Sequence, residues 1–159
     1  QDPARPVLVE AESNRIGALR VPEALLVRMR GSDCVRVEAP LEERVDFLLR
    51  EYRHFLEDPA GLKAQLARLT ELHSRDTVTR WSELIDAGEW RTLVGELLTK
   101  HYDPAYRKST DRHYPALSRA FVLQAAKLDD QGIGAAADAL LQNLPDLAPE
   151  LPQGVGAQV

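Results

Sequence analysis

Two short β-branched runs, each followed by helical periodicity, constrain the fold of this chain more than any other feature. Residues 7–9 (VLV) form an apolar run ending in Glu10, and residues 34–38 (CVRVE) form the second. Between them Pro22 suits a first helical position, and Leu25, Leu26 and Met29 follow with helical spacing. Gly31, Ser32 and Asp33 break that helix. After the second run Pro40 opens another, in which Leu41, Val45, Leu48, Leu49, Tyr52 and Leu56 share one face. Strand, helix, strand, helix is the order of parallel crossovers. Two strands alone make no stable parallel sheet, because faces and edges need cover. Further strands are therefore expected before Gln1, and at least one downstream.

From Asp58 the pattern is helical. Asp58-Pro59 reads as an N-cap followed by proline at the first helical position, and Leu62, Leu66 and Leu69 continue that helix. Ser74 can cap the next helix, with Val78, Trp81, Leu84 and Ile85 on one face, and Gly88 stops it. Trp90, Leu93, Val94, Leu97 and Leu98 make a further apolar stripe. Residues 118–128 (SRAFVLQAAKL) suit either helix or strand. Strand is preferred at Phe121, Val122 and Leu123, because Asp129 and Asp130 then cap a last helix through 135–144. The expected organisation is residues 1–57 as part of an α/β domain, 58–116 as an inserted helical subdomain, 117–145 as a returning strand and last helix, and 146–159 as a disordered tail rich in Pro and Gly.

Composition excludes several classes. Lys and Arg number 20 against 25 Asp and Glu, a net charge of −5, so any nucleic-acid site must be a local patch. The single cysteine, Cys34, can form neither an internal disulfide nor a cysteine-based metal cluster, which fits a cytoplasmic protein. No apolar run is long enough for a transmembrane helix, and no signal-peptide pattern is present. His54, His73, His101 and His113 share no metal-ligand spacing, so no metal site is expected.

Residues 7–17 (VLVEAESNRIG) are the first candidate site. Carboxylates just past a buried strand lie at the carboxyl edge of an α/β sheet, where ligands bind. Glu12, Ser13, Arg15 and the backbone of Gly17 are the candidate phosphate or anion contacts. The same residues serve equally well as a capped turn after a strand.

The run Glu12-Ser13-Asn14-Arg15-Ile16-Gly17 followed by Pro22-Glu23 is similar to the ESRRIG…PE signature of tRNA 2-selenouridine synthases, with Asn14 replacing one arginine. The likeness continues through Ala39-Pro40-Leu41-Glu42-Glu43-Arg44. It extends to His101-Tyr102-Asp103-Pro104-Ala105-Tyr106, which resembles that family's YDP-x-Y motif. The resemblance implies an α/β, mostly helical fold: a partial P-loop-type parallel sheet of two to three strands with an inserted helical subdomain. It implies a rhodanese domain ahead of the P-loop domain. It also implies exchange of sulfur for selenium in 2-thiouridine at the tRNA wobble position, through a geranylated intermediate. Selenophosphate and geranyl diphosphate would be the substrates and tRNA the partner. None of the nine glycines begins a Gly-x-x-x-x-Gly-Lys-Ser/Thr loop, and no rhodanese loop is present. The chain is therefore expected to be a C-terminal portion with no catalytic residue of its own, and Cys34 a small buried hydrophobe.

Residues 101–119 (HYDPAYRKSTDRHYPALSR) are the second candidate. Arg107, Lys108, Arg112 and Arg119 outnumber Asp103 and Asp111, and Tyr102, Tyr106 and Tyr114 are interleaved with them. Cations that grip phosphate beside rings that stack bases are the composition of RNA sites. Arg107, Lys108, Arg112, Tyr102 and Tyr106 are the expected tRNA contacts. A solvated loop covering the helical subdomain is the bland alternative. A third set, Arg15, Arg20, Arg28, Arg30 and Arg36, includes two arginines, Arg15 and Arg20, placed to meet a diphosphate or RNA backbone. A geranyl chain would need an apolar lining, expected around Leu66, Leu69, Leu93 and Leu97. From a different class, a non-catalytic helical protein-interaction module fits the leucine stripes and acidic balance. A nucleotide kinase of similar topology fits less well, for want of a base-recognition motif.

Overall fold

The computed structural model describes residues 6–11 and 14–147. They divide into two compact units. A helical unit comprises Ala39–Arg107 and Ala125–Ile133. A sheet-bearing unit comprises the described residues up to Glu38, Lys108–Gln124 and those from Gly134 onward. The fold is α/β and mostly helical, as expected.

In the sheet-bearing unit, β1 (Arg15–Ile16) and β2 (Leu19–Arg20) form an antiparallel hairpin, with Arg15 opposite Arg20 and Ile16 opposite Leu19. Gly17 makes the turn possible. Its φ of 60° at the first central position is what a two-residue hairpin loop of the Gly-first type demands. Helix α1 (Glu23–Arg30) starts after Pro22 and buries Leu26. Strand β3 (Val35–Glu38) pairs in parallel with β4 (Phe121–Gln124), Val35 opposite Phe121 and Glu38 opposite Gln124. Phe121 N–H also donates to the carbonyl of Cys34, at 3.2 Å. The preference for strand at 121–123 is thus borne out. Leu123, Tyr114, Ala116 and Thr110 are buried.

Residues 7–9 do not form the expected buried strand. They lie outside both sheets, and Val7, Leu8 and Val9 are each more than half exposed. β-branching favours a pleated surface only where a neighbouring strand supplies hydrogen bonds and packing. Among the described residues β3 takes β4 as its paired neighbour, and none pairs with 7–9.

The helical unit follows its capping chemistry. Helix α2 (Leu41–Glu51) buries Val45 and gives way at Tyr52 to the short α3 (Arg53–Leu56), so the single long stripe becomes two helices. Asp58 accepts from Gly61 N–H at 2.9 Å and starts α4 (Pro59–Ala67). Ser74 accepts from Thr77 N–H at 3.2 Å and starts α5 (Arg75–Asp86). Gly88, with φ 69°, ends the turn after α5 and leads to α6 (Trp90–Leu97). Leu66, Trp81, Ile85 and Leu93 form the core, with Leu62, Leu69, Val78, Leu84, Trp90 and Leu97 packed against it. Trp81 is fully enclosed and donates Nε1 to Glu96 Oε2 at 3.1 Å.

Helix α6 runs into a π turn (Leu98–Tyr102) and then α7 (Asp103–His113). Pro104 explains the wide turn. In a regular helix its ring would collide with the carbonyl four residues back, and its nitrogen has no hydrogen to donate. Residues 103–113 are therefore helical where a loop was the bland expectation. The last helix, α8 (Asp130–Leu147), begins with Asp129 accepting from Gly132 N–H at 2.8 Å.

Candidate functional site

The motif at 39–44 sits at the start of α2, and its three charged side chains each hold a different segment of the helical unit. Glu42 accepts from Arg91 Nη2 of α6 at 2.8 Å, and Arg91 also pairs with Asp46 one turn on. Glu43 accepts from Lys127 Nζ at 2.5 Å. Arg44 donates Nη1 to Asp103 Oδ2 at 2.9 Å and Nη2 to Asp103 Oδ1 at 2.6 Å. This fork joins the motif at 39–44 to the motif at 101–106. Its side chains are only 27% and 23% exposed, so water screens it less than a surface pair. The hydrogen bond from Arg44 holds the Asp103 carboxyl below the usual aspartate range, against the opposing effect of burial. The same bond raises Arg44 above an ordinary arginine.

Two tyrosines flank Asp103. Tyr102 ends the π turn and Tyr106 lies one helical turn on. Their rings stack with centroids 5.8 Å apart and planes 15° from parallel, and both are more than 40% exposed. Arg107 follows at once and adds to the positive field around Asp103. Tyr102, Tyr106 and Arg107 thus share one stretch of the helical unit. Lys108 and Arg112 are exposed on the part of α7 that belongs to the sheet-bearing unit. Tyr114, by contrast, is buried.

Of the first candidate set, Glu12 and Ser13 lie outside the described residues. Arg15 and Gly17 are exposed in the hairpin, and no atom lies within 4 Å of where a Gly17 side chain would begin. Gly17 is thus required for its φ, not for close approach of another group. Directly opposed residues of an antiparallel pair share a face, so Arg15 and Arg20 present two cations on one side of the hairpin. Ile16 and Leu19 share the other side, at 71% and 72% exposure. Sequence reading offered a capped turn after a strand at these residues, not a hairpin that pairs Arg15 with Arg20.

Other expectations change. Leu66, Leu69, Leu93 and Leu97 do not line a chamber for a prenyl chain. Leu66 and Leu93 are core residues, and the other two pack against them. Leu66 also forms part of a shallow groove between α4 and α5, with Lys63, Ala67, Val78 and Ser82. Cys34 precedes β3 and is only partly buried, its thiol held above the ordinary cysteine value by burial and then by Asp33. Among the described residues no group of His, Cys, Asp and Glu is placed to hold a metal. Nor is any helix among them long and apolar enough to cross a membrane.

The family model described as tRNA 2-selenouridine synthase AAA domain matches residues 1–72. A curated tRNA 2-selenouridine synthase of Cupriavidus pinatubonensis (strain JMP 134 / LMG 1197) is 31% identical over 128 residues, which is 64% of this chain and 35% of the relative. Another, of Shewanella loihica (strain ATCC BAA-1088 / PV-4), is 30% identical over 142 residues, or 70% of this chain and 38% of the relative. The chain belongs to the tRNA 2-selenouridine synthase family. It spans little more than a third of the length of the curated relatives it matches. No solved structure matches it. The Arg44–Asp103 fork is the contact that sequence reading missed. The signal was present, since both residues fall inside the family-like motifs, but nothing in a linear motif shows which partner a charge will take.

Proposed function

We propose that the whole protein replaces sulfur by selenium in 2-thiouridine at the tRNA wobble position, through a geranylated thiouridine intermediate. Selenophosphate and geranyl diphosphate are its substrates in this reading, and this chain helps to hold the tRNA and the prenyl diphosphate. The observation that carries the proposal is the exposed Tyr102–Tyr106 stack beside Arg107, inside a family-like motif of an otherwise acidic chain. Exposed rings stack unpaired bases whatever their identity, and neighbouring cations grip the phosphates. Lys108 and Arg112 add backbone contacts in the same reading. Arg15 and Arg20, sharing one face of the hairpin, supply the paired cations that a diphosphate favours, with Glu12, Ser13 and Gly17 as the remaining anion contacts proposed.

The 159 residues contain no glycine-rich phosphate loop, and their one thiol is held in its less reactive protonated form. They are therefore expected to show no selenium transfer alone, and turnover by the purified chain would overturn that division of labour. The binding role is tested by titrating tRNA over a salt series. Affinity should fall as salt rises, and the Arg107→Ala/Lys108→Ala double variant should bind more weakly with a shallower slope, by about 0.7–0.9 per lost phosphate contact. Unchanged affinity would place the RNA site elsewhere.

A further inference from the structure

Resting on the tRNA-binding reading above, we propose that Arg44 is a positioning residue. By clamping Asp103, it holds the Tyr102–Tyr106 pair in the arrangement that accepts an unpaired nucleobase.

The two tyrosines lie on either side of the junction between a π turn and an α-helix. A π turn closes fewer well-aligned hydrogen bonds than an α turn, and Pro104 removes one more donor immediately after it. A contact from outside the helix can therefore add to what fixes the rotation of the junction. The Arg44–Asp103 fork fits that task. Asp103 directly follows Tyr102 and precedes Tyr106 by three residues, so fixing its carboxylate fixes the backbone between the rings. Arg44 stands on α2, adjacent to Val45, which is 2% exposed, so it projects from an anchored base. The two parallel hydrogen bonds, 2.9 and 2.6 Å, constrain the carboxylate plane as well as its position. A lysine, as a point charge, would leave that plane free to turn. Tyr102 adds a smaller favourable charge effect at Arg44, after the hydrogen bond to Asp103.

The ligand follows from the chemistry of the surface. Two nearly parallel exposed rings with Arg107 next in sequence suit a flat aromatic ring joined to an anion, which is a nucleotide. Stacking one base is worth about fivefold to a hundredfold in affinity. A platform whose rings are already in place keeps that gain, whereas one whose rings must be ordered on binding loses part of it.

The experiment uses the full chain and a fluorescent single-stranded RNA oligonucleotide, with binding followed by anisotropy across a salt series. Near-ultraviolet circular dichroism reports the coupled tyrosines. Arg44→Lys keeps the charge but removes the fork. It should bind about tenfold more weakly, lose tyrosine dichroism, and keep the wild-type salt slope, because no phosphate contact is removed. Asp103→Asn, nearly isosteric, should weaken binding in the same direction, and it serves as the test if Arg44→Lys does not fold. Tyr102→Ala/Tyr106→Ala tests the platform itself. If that double variant weakens binding while Arg44→Lys and Asp103→Asn bind as the wild type, the positioning role is overturned and the platform stands. If the double variant binds normally, the platform reading fails and the positioning role falls with it. A reduced salt slope in Arg44→Lys would mean that Arg44 touches phosphate directly, which also overturns the proposal.

Discussion

His73 and His101 share one hydrogen bond, Nε2 to Nδ1, at 3.0 Å. One ring donates and the other accepts, so the bond survives while at least one ring keeps a lone pair. His73 also packs edge-on against Trp81, at 5.1 Å between centroids, and His101 stands in the π turn just before Tyr102. Burial, and then the nearby His73, hold the His101 pKa below the ordinary 6.5. A histidine with a depressed folded value takes up a proton more readily when unfolded. Its contribution to stability is therefore intact above pH 6.5 and declines as pH falls through the folded value. The melting temperature should drop as pH falls below about 6.5. In His101→Gln that part of the slope should flatten, and an unchanged profile would show that the pair does not titrate in this range.

Trp81 is the most deeply enclosed large side chain, and its indole N–H is satisfied by Glu96. Trp81→Ala should cost about 3–5 kcal/mol in urea unfolding. Glu96 is also gripped by Arg80 and Lys100 at 2.8 Å each. Burial alone would raise its pKa, but the hydrogen bonds from Lys100 and Arg80 prevail and lower it. Glu96→Gln should destabilise by about 1 kcal/mol, well short of the Trp81 loss, because an amide oxygen can still accept from the indole.

Gly17 and Gly88 hold left-handed φ values of 60° and 69°. The sites are not crowded, so the cost of a side chain there is conformational. Gly88→Ala should destabilise the helical unit by about 1 kcal/mol. Gly17→Ala should disturb amide shifts of residues 15–20 while leaving the global midpoint within about 0.5 kcal/mol, since the hairpin is short and exposed. A larger global loss for Gly17→Ala would mean that the hairpin supports more than itself.

Cys34 should react slowly. Its thiol is held above the ordinary value, and the thiolate is the reactive form. Alkylation at pH 7.5 should be slower in the folded chain than in the urea-unfolded chain. A faster folded rate would indicate an activated cysteine and reopen a chemical role for it.

The parts of the fold legible in sequence are those fixed by local chemistry. Asp58 and Ser74 cap the helices they were expected to cap, Gly88 stops α5, and Trp81 and Leu93 occupy the core their spacing implied. Strand β4 was legible because Asp129 marked where the next helix had to begin. What sequence hid depends on contacts distant along the chain. Residues 7–9 have the composition of a strand, but a strand exists only with a partner. The sequence reading left residues 101–119 open to a solvated loop, whereas a π turn ahead of Pro104 accommodates its ring and the helix continues. Among the proposed tRNA contacts, Tyr102 and Tyr106 proved neighbours because helical spacing brought them together. The fork that joins Asp103 to Arg44 spans 59 positions, and neither motif shows which partner its charge takes.

Parallel pairing of β3 with β4 also dictates an order of events during folding. The Gln124 side chain donates to Glu38 across 86 positions of chain, and the adjacent backbone bonds span similar distances. Antiparallel neighbours can zip up from a tight turn, but parallel ones must wait for the connection between them to become short in space. Here that connection carries α2 through α7. Its helices pack on one another over shorter stretches of chain than the one separating the strands, so their collapse would shorten the loop that the strands must close. The sheet is thus expected to pair after the helices. A change that slows helix formation in the insert should delay strand pairing without touching a single strand residue.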